Sequence, residues 1–420
     1  MSASLGLMLL ILLLLLLRQG LLVILGLTAL YVHAFFGRGE LTDVIVDLWD
    51  ASNRDVLLAI PLYILAGNIM ASGAMASRLV RVMRAVASPV AGGLAMASVL
   101  SCALFAAVSG SGTVTMLAVG AVMYPALLEA GYPRRFSLGA LCSAGTLGIL
   151  IPPSIPLMLY GIMTETSITE LFLAGIGPGL LLTVLFTVYA WFRNRDRRGA
   201  GWNGREVATA LGEGAWALGM PLVVLGGIYS GHFTATESAA VAVAYALAVE
   251  VLVYRELGAA GLVDVVTRTA ELIGALFPVL LFALSINVFL TYEQVPDRLV
   301  AWLGGQLTEP VPFLIGVNLL LLAVGCIMDI GSAILILAPI LAPLAVSLGI
   351  DPVHFGIVMV VNLEIGYLTP PVGMNLVVAT TAYRESFREV CVAVLPFVLI
   401  MLLALGLVTA WPGLSLFLLG

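Results

Sequence analysis

The sequence Gly145-Thr-Leu-Gly-Ile-Leu-Ile-Pro-Pro-Ser-Ile-Pro156 interrupts a long apolar segment with two adjacent prolines. A second stretch, Leu363-Glu-Ile-Gly-Tyr-Leu-Thr-Pro-Pro-Val-Gly-Met374, has the same arrangement, with a glycine four residues before a Pro-Pro pair. Because proline lacks a backbone N–H and its ring clashes with the preceding turn, a helix cannot continue unbroken through either pair. Two broken membrane helices, one in each half of a chain, indicate the binding site of a transporter.

The two stretches are related by a constant offset, since Pro370 follows Pro152 by 218 residues. The same offset relates other residues that shape a helical backbone, namely Gly148 and Gly366, Gly131 and Gly349, and Pro125 and Pro343. Apolar sequence matches itself easily, but a coincidence of glycines and prolines is much harder to obtain by chance. We therefore interpret the chain as an internal duplication.

The composition is that of a membrane protein. The 420-residue chain is 61% hydrophobic and 10% charged, with a mean hydropathy of +1.14. We predict an integral membrane protein with room for about ten spans of roughly 20 residues each. Arginine supplies all 18 positive side chains, and they form no basic patch interleaved with aromatic residues of the kind that binds nucleic acid. The four cysteines lie in apolar segments without metal-ligand spacing, so we interpret them as core residues.

Apolar runs and arginine positions predict the topology of the first half, residues 1–192. Its five predicted spans cover about residues 2–17, 21–36, 56–74, 136–163 and 171–192. The span at 136–163 carries the first break, and an acidic amphipathic stretch at 40–55 is predicted to be an arm on the outer side. The arginine-rich run that follows opens a cytoplasmic linker at 193–212.

Residues 92–129 depart from this pattern. Two short apolar runs flank Ser109-Gly-Ser-Gly-Thr113, and arginines at both ends place both in the cytoplasm. A re-entrant helical hairpin, with its small-residue tip near mid-membrane, accounts for both observations. The alternative is two complete spans joined by an outer loop.

The second half, residues 213–420, repeats the plan in the opposite orientation. Its spans cover about residues 213–230, 234–254, 270–290, 355–380 and 389–411, with a cytoplasmic arm at 255–269 and a second hairpin at 311–347. The tip of this hairpin is Asp329-Ile-Gly-Ser332, and the span at 355–380 carries the second break. The predicted fold is thus an all-α integral membrane protein, with about ten transmembrane helices and two re-entrant hairpins in two inverted-topology repeats. Such a pair can open a central site to either side in turn.

Each hairpin tip, together with a break, offers oxygen ligands. Serine and threonine hydroxyls, with carbonyl groups freed by an unwound helix, suit a monovalent cation that must lose its water. The first cluster has no carboxylate, whereas the second has Asp329. Half-helix N-termini at the breaks would direct partial positive charge at an anionic substrate. The alternative is that these small residues only allow close helix packing.

Several other polar residues lie in the predicted spans. Glu364 could bind an ion, carry a proton, or accept hydrogen bonds from unwound backbone. Asn362 and Asn375 flank the second break and are candidate substrate or ion contacts, while Asn68 and Asn287 are more typical of interhelical hydrogen bonds. The three histidines, His33, His232 and His354, lie apart from one another. They suggest neither a metal site nor a catalytic set, so we do not expect an enzyme.

Six motifs together resemble the large membrane subunit of tripartite ATP-independent periplasmic (TRAP) transporters, over nearly the whole chain. They are Ile60-Pro-Leu-Tyr-Ile-Leu-Ala-Gly-Asn-Ile-Met70, Ser109-Gly-Ser-Gly-Thr-Val-Thr115, Ala144-Gly-Thr-Leu-Gly-Ile-Leu-Ile-Pro-Pro-Ser-Ile-Pro-Leu157, Leu171-Phe-Leu-Ala-Gly-Ile176, Ser332-Ala-Ile-Leu-Ile-Leu-Ala-Pro-Ile340 and Val361-Asn-Leu-Glu-Ile-Gly-Tyr-Leu-Thr-Pro-Pro-Val-Gly-Met-Asn375. The resemblance implies an elevator-type secondary transporter of the bacterial inner membrane, driven by a sodium gradient. It implies a small organic acid as substrate, such as a C4-dicarboxylate or sialic acid, a periplasmic substrate-binding protein that delivers it, and a small Q-type membrane subunit. No cofactor is implied besides sodium as the coupling ion.

The resemblance also names the ion at the two clusters as sodium. The predicted sodium ligands are Ser109, Gly110, Ser111, Gly112, Thr113, Gly148, Ile151, Pro153, Asp329, Gly331, Ser332, Gly366, Thr369 and Pro371. The predicted substrate contacts are Thr146, Pro152, Ser154, Asn362, Glu364, Met374 and Asn375. The tips depart from the family pattern, because Gly112 stands where a small polar residue is common and Ile330-Gly331 replaces Pro-Thr. The alternative function is a stand-alone sodium/dicarboxylate symporter of related architecture.

Overall fold

The computed structural model describes residues 3–36, 41–199, 201–295, 298, 300 and 309–419, and within these ranges it contains helices and no β-strand. Eight of the described helices are long and apolar enough to cross a bilayer, and six shorter apolar helices accompany them. The predicted all-helical membrane fold is confirmed. Residues 2, 40 and 200, which fall in the predicted first span, outer arm and linker, lie outside the described residues.

The described helices of the first half occur in the following chain order. They are α1 (Ala3–Leu16), α2 (Leu21–Phe35), α3 (Thr42–Ser52), a 3₁₀ turn (Asp55–Leu58), α4 (Ala59–Ser72), α5 (Met75–Ala87), α6 (Gly93–Ser109), α7 (Gly112–Glu129), α8 (Arg134–Gly145), a second 3₁₀ turn (Thr146–Ile149), α9 (Ile155–Thr164) and α10 (Ile168–Asn194).

The second half begins after the arginine-rich linker. It contains α11 (Gly204–Tyr229), α12 (Ala235–Leu247) with a π-helical continuation (Ala248–Val253), α13 (Ala259–Tyr292), α14 (Pro310–Gly325), α15 (Ile330–Ser347), α16 (Pro352–Gly366), α17 (Met374–Tyr383), α18 (Phe387–Ala410) and α19 (Gly413–Leu416).

Both helices break where the paired prolines remove the backbone donors. Helix α8 ends at Gly145, and α9 begins only at Ile155. The hydroxyl of Ser154 accepts from the Leu157 N–H at 3.3 Å and donates to the Ile149 carbonyl at 2.5 Å, so one side chain serves both sides of this break. At the second break, between α16 and α17, the Val372 and Gly373 N–H groups donate to the Cys326 carbonyl at 3.1 and 3.4 Å.

Helices α6 and α7 form a re-entrant hairpin, called hairpin 1 below. Both of its ends meet one linker residue, because the Arg197 carbonyl accepts from the Gly92 N–H and the Arg197 guanidinium donates to the carbonyls of Ala130 and Gly131. Its tip reaches the break of the neighbouring helix, where the Gly110 carbonyl accepts from the Ile155 N–H at 3.2 Å. A tip at the depth of a helix break is what distinguishes a re-entrant hairpin from two complete spans. Helices α14 and α15 form the corresponding hairpin 2.

Two segments differ in extent from the sequence prediction. Residues 75–87, which belong to none of the predicted spans, arms or hairpins, form the amphipathic helix α5, whose residues Leu79, Val80 and Val82 are buried. The arm predicted at 255–269 and the span predicted at 270–290 are one continuous helix of 34 residues, α13. Arg268, next to the predicted boundary, forms an exposed ion pair with Asp264 one turn earlier at 2.9 Å, an arrangement that a helix accommodates without interruption.

Candidate ion and substrate site

The tip of hairpin 1 is built from small residues that turn the chain sharply. Gly110 has φ of +62°, a left-handed conformation that favours glycine. Ser111 is extended and precedes the first residue of α7, Gly112. The Ser109 hydroxyl lies 2.5 Å from that of Thr115, one turn into α7. Several hard oxygen atoms therefore converge on this turn.

Gly148 brings the first break against these oxygens. A Cβ atom at this position would lie 2.5 Å from the Thr115 hydroxyl oxygen and 2.6 Å from the Ser111 carbonyl oxygen. Only glycine therefore permits this approach of the 3₁₀ turn to the tip. Hydroxyl and carbonyl oxygens on one side, with unwound backbone on the other, are the ligand types that suit a monovalent cation.

The other predicted residues of the first break serve different contacts. The side chain of Ile151 packs against Gly179 of α10. Pro152, Pro153 and Ser154 are buried, and the Ser154 hydroxyl is committed to the local backbone. Among these residues, Pro153 approaches the tip of hairpin 1. A Cβ atom added to Gly110 would lie 3.1 Å from the Pro153 carbonyl oxygen.

The second tip contains a carboxylate. Asp329 caps α15 by accepting from the Ser332 N–H at 2.9 Å, and it also accepts from the Ser332 hydroxyl. The Ile330 N–H donates to the Tyr367 hydroxyl at 3.4 Å, which links this tip to the second break. Gly331 is close to the same carboxylate, since a Cβ atom added to Gly331 would lie 3.2 Å from Asp329 Oδ1. Asp329, Gly331 and Ser332 therefore form one cluster.

The second break is more open than the first. Gly366 packs on the backbone of Gly325 at the end of α14, where an added Cβ would lie 2.4 Å from the Gly325 carbonyl carbon. Thr369, in the break itself, donates its hydroxyl to the Ile365 carbonyl at the end of α16, at 2.8 Å. Pro371 is exposed, unlike the prolines of the first break. The structure thus assembles the first oxygen cluster more closely than the second.

Thr146 and Glu364 meet where the two repeats meet. The Thr146 hydroxyl oxygen lies 2.6 Å from Glu364 Oε1, and these residues are separated by 218 positions, the offset between the repeats. Equivalent residues of two repeats touch each other only on the pseudo-two-fold axis that relates them. Glu364 is fully buried, and its Oε2 atom has no hydrogen-bond partner among the described residues.

The two predicted asparagines have different neighbours. Asn375 is buried and accepts from the Thr113 hydroxyl at 3.0 Å, so it ties the second break to the tip of hairpin 1. Asn362 instead donates to the backbone and side chain of Asn318 on α14, at 3.0 and 2.7 Å. Asn375 therefore belongs to the site, whereas Asn362 joins a broken helix to hairpin 2.

One cavity of 570 Å³ joins the two tips. Its polar wall holds Ser109 and Ser111 from the first tip, Asp329 and Ser332 from the second, and Tyr367. The facing wall is apolar and comes mainly from α13, through Leu272, Ala275, Leu276 and Val279. Met374 is the predicted substrate contact that lines this cavity; Thr146, Pro152, Ser154, Asn362, Glu364 and Asn375 are buried elsewhere around the breaks.

The chain matches the family model described as "Tripartite ATP-independent periplasmic transporter, DctM component" over residues 7–414. The chain belongs to this family. It is 40% identical over 395 residues to "C4-dicarboxylate TRAP transporter large permease protein DctM" of Pseudomonas aeruginosa, covering 93% of this chain and 92% of that protein.

Relatives in this family carry names with other substrates. The chain is 35% identical to "Ectoine/5-hydroxyectoine TRAP transporter large permease protein UehC" of Ruegeria pomeroyi, covering 91% of this chain and 90% of that protein. It is 38% identical to "Isethionate TRAP transporter permease protein DctMQ" of Oleidesulfovibrio alaskensis, covering 87% of this chain but only 58% of that longer protein. The solved structure of the Alcanivorax borkumensis YdaH transporter superposes with a TM-score of 0.66 at 18% identity, over 89% of this chain and 88% of that one, which supports the fold.

Some residues around the site of this DctM-family chain were not singled out from the sequence. Thr115, Gly325 and Tyr367 contact the predicted residues Ser109, Gly366 and Asn375, respectively. Ser111 is the N-cap of α7 and Thr115 follows it by four residues, so the first helical turn brings Thr115 back to the tip, where its N–H donates to the Ser111 carbonyl at 3.0 Å. The four-residue spacing from Ser111 is the sequence signal that could have identified Thr115.

A separate cluster joins His33, Asp47 and Ser285 in the part of the fold built from α2, α3 and α13. His33 Nε2 lies 3.4 Å from Asp47 Oδ2 and 3.3 Å from the Ser285 hydroxyl, which also donates to Asp47 at 2.9 Å. An acid–base relay needs the two ring nitrogens to face different partners. Here one nitrogen faces both, so the cluster is a packing contact between helices.

Proposed function

We propose that this chain is the translocating subunit of a sodium-driven importer of small organic acids in the bacterial inner membrane. Membership of the DctM family supports the transporter class, and the names of its relatives, which include C4-dicarboxylate and ectoine transporters, support a small organic solute that carries an acidic group. The observation that carries the proposal is the single cavity that joins both hairpin tips. A substrate there would touch both ion clusters at once.

The donor set fits sodium as the co-transported ion. The Ser111 carbonyl and the hydroxyls of Ser109 and Thr115 converge at the first tip, where Gly148 leaves room for close approach. These are neutral oxygens, which bind a monovalent cation weakly enough to release it in each cycle. The lining of the cavity has no positively charged side chain among the described residues. Bound sodium ions would therefore supply the charge that attracts a carboxylate, which couples the binding of ion and substrate.

The walls of the cavity support an elevator motion. One wall consists of the two tips and the second break, and the other consists of apolar residues of α13 with Leu21 of α2 and Ile64 of α4. A polar tip surface can slide along an apolar wall with little loss of hydrogen bonding. We therefore propose that the hairpins and broken helices move against a scaffold that includes α2, α4 and α13.

We propose two partners, a periplasmic substrate-binding protein and a small Q-type membrane subunit. The family description and the longer relative named DctMQ, of which this chain covers 58%, support this pairing. Exposed apolar side chains on α1, including Leu13, Leu15 and Leu16, offer a surface that lipid or a membrane partner would cover.

The test is uptake into proteoliposomes that contain this chain and its small membrane partner. Binding proteins loaded with radiolabelled organic acids are added outside, with and without an inward sodium gradient. We expect uptake only when both the binding protein and the gradient are present. Uptake without the binding protein would instead indicate a stand-alone symporter, and gradient-independent, non-saturating flux would indicate a channel.

A further inference from the structure

A second cavity, of 960 Å³, lies at the base of hairpin 1, on the side that the arginine positions predict to be cytoplasmic. Three parts of the chain form it: helix α5, residues of hairpin 1 near its base, and the linker after α10 with the first turn of α11. It is separate from the cavity between the tips, with which it shares no lining residue. We refer to it as the basal cavity.

The basal cavity is rich in positive charge. Its lining includes four guanidinium groups, those of Arg81, Arg84, Arg197 and Arg198, against one carboxylate, that of Glu206. Two of these arginines, Arg81 and Arg84, belong to α5, and the other two belong to the linker.

Two of these arginines already have partners. Arg81 pairs with Glu206 at 3.0 Å and with Glu213 at 2.5 Å, which fixes α5 to α11. Arg197 donates to the Ala130 and Gly131 carbonyls at the end of hairpin 1, at 3.3 and 2.6 Å. These contacts fix the walls of the cavity and leave those two guanidinium groups little capacity for a ligand.

Arg84 and Arg198 are different. Both are exposed side chains that line the basal cavity, and neither has a hydrogen-bond or ion-pair partner among the described residues. A planar guanidinium group offers paired donors that match the oxygens of a phosphate group, and two such groups lining one cavity, here from α5 and from the linker, can bind one phosphate together. Val80, Leu94 and Val122 add an apolar part to the lining, which would suit a ligand with both a phosphate group and an apolar portion.

We propose that the basal cavity binds a phosphate-bearing anion through Arg84 and Arg198. Anionic phospholipid headgroups are concentrated at the cytoplasmic surface of membranes, and free phosphate compounds present the same chemistry to this side. The ligand bridges α5, which is fixed to α11, and the linker, which holds both ends of hairpin 1. Its occupancy therefore stabilises one position of the hairpin base. This inference does not depend on sodium coupling or on the identity of the transported acid.

The experiment uses the purified full-length chain in detergent after removal of bound lipid. Native mass spectrometry measures the retention of added phosphatidylglycerol relative to phosphatidylcholine, and thermal unfolding measures stabilisation by inorganic phosphate. The test variant is Arg84→Gln/Arg198→Gln. The matched control is Arg193→Gln/Arg195→Gln, because these two exposed arginines of the same run lie outside the cavity lining.

We expect the affinity for the phosphate-bearing probe to fall at least about tenfold in the test variant and to stay unchanged in the control, since two charge-assisted contacts are lost. If the loss is in phosphatidylglycerol retention, the ligand is a lipid headgroup. If it is in the stabilisation by inorganic phosphate, the ligand is a free phosphate compound. Equal behaviour of wild type, test variant and control toward both probes would overturn the proposal. Should the test variant fold poorly, Arg84→Lys/Arg198→Lys replaces it: this variant keeps the positive charge but loses the paired donors, so it should bind the probe more weakly than wild type and still retain part of the binding.

Discussion

Gly148 decides how closely the first break approaches the tip of hairpin 1. An alanine Cβ would lie 2.5 Å from the Thr115 hydroxyl oxygen and 2.6 Å from the Ser111 carbonyl oxygen, distances shorter than van der Waals contact allows. Gly148→Ala should therefore separate the break from the oxygens proposed to bind sodium. We expect the sodium concentration for half-maximal uptake to rise at least about tenfold. A sodium titration of uptake in proteoliposomes measures this.

The control is Gly226→Ala, at a helical glycine whose added Cβ would meet no atom within 4 Å. It should leave the sodium dependence unchanged. If Gly148→Ala also keeps the sodium dependence of wild type while inserting normally, the contact between the break and the tip has no part in ion binding.

The sequence predicted some of these residues and missed others for a physical reason. Gly148 and Gly366 precede proline pairs along the chain, so a local pattern identifies both. Gly325 and Tyr367 act through contacts that depend on the packing of hairpin 2 against the second break. No local pattern reports such packing, and the same limit applies to the meeting of Thr146 with Glu364.

Helix α5 begins on a buried carboxylate from another part of the chain. Glu250, on the π-helical continuation of α12, accepts from the Ala74 and Met75 N–H groups at 2.9 and 2.8 Å. Gly73 leaves space for this carboxylate, since a Cβ atom added to Gly73 would lie 2.1 Å from the carboxylate carbon of Glu250. Glu250→Ala should therefore leave the N-terminus of α5 without its cap, at a cost of about 1–2 kcal/mol. A lower midpoint of thermal unfolding in detergent would show this loss.

Gly73→Ala offers a matched test, because the new methyl group would displace the same carboxylate. Each single variant should lower the unfolding midpoint, but Glu250→Ala/Gly73→Ala should lose less than the sum of the two, since the methyl group then occupies space that the carboxylate has left. Additive losses would mean that Gly73 and Glu250 do not act through this contact.

Whole elements were predictable where a strong local rule applied. Paired prolines break a helix in any context, and both breaks lie where the sequence placed them. Helix α5 was missed because its apolar positions alternate with Arg78, Arg81 and Arg84 within only 13 residues, a run too short and too charged to resemble a span. The arm and the span predicted on either side of residue 270 are one helix, α13, because charged side chains there, such as Asp264 and Arg268, pair along the helix without ending it.

The two halves of the molecule are alike in plan but differ at their centres. Helices α7 and α15 both have 18 residues and start 218 positions apart, and Gly131 and Gly349, at the same offset, have φ of +75° and +77°. Yet Gly148 packs on the tip of hairpin 1, whereas Gly366 packs on the end of α14. Two repeats that share a plan and hold different local arrangements are what alternating access between inverted repeats requires. This difference is what the proposed motion of the hairpins against the scaffold would produce.

A cross-link across the cavity between the tips tests that motion directly. In a background without the four native cysteines, Val114→Cys on hairpin 1 and Leu272→Cys on α13 place one thiol on each wall. Joining them with bis-maleimide linkers of increasing length should abolish uptake for short linkers and restore it once the linker spans the travel. Gly26→Cys/Phe282→Cys is the control, because these positions pack together between α2 and α13, within the proposed scaffold; its cross-link should leave uptake intact. Undiminished uptake with the shortest linker on the first pair would show that the tips do not travel relative to α13, since a fixed distance between the two walls is incompatible with an elevator.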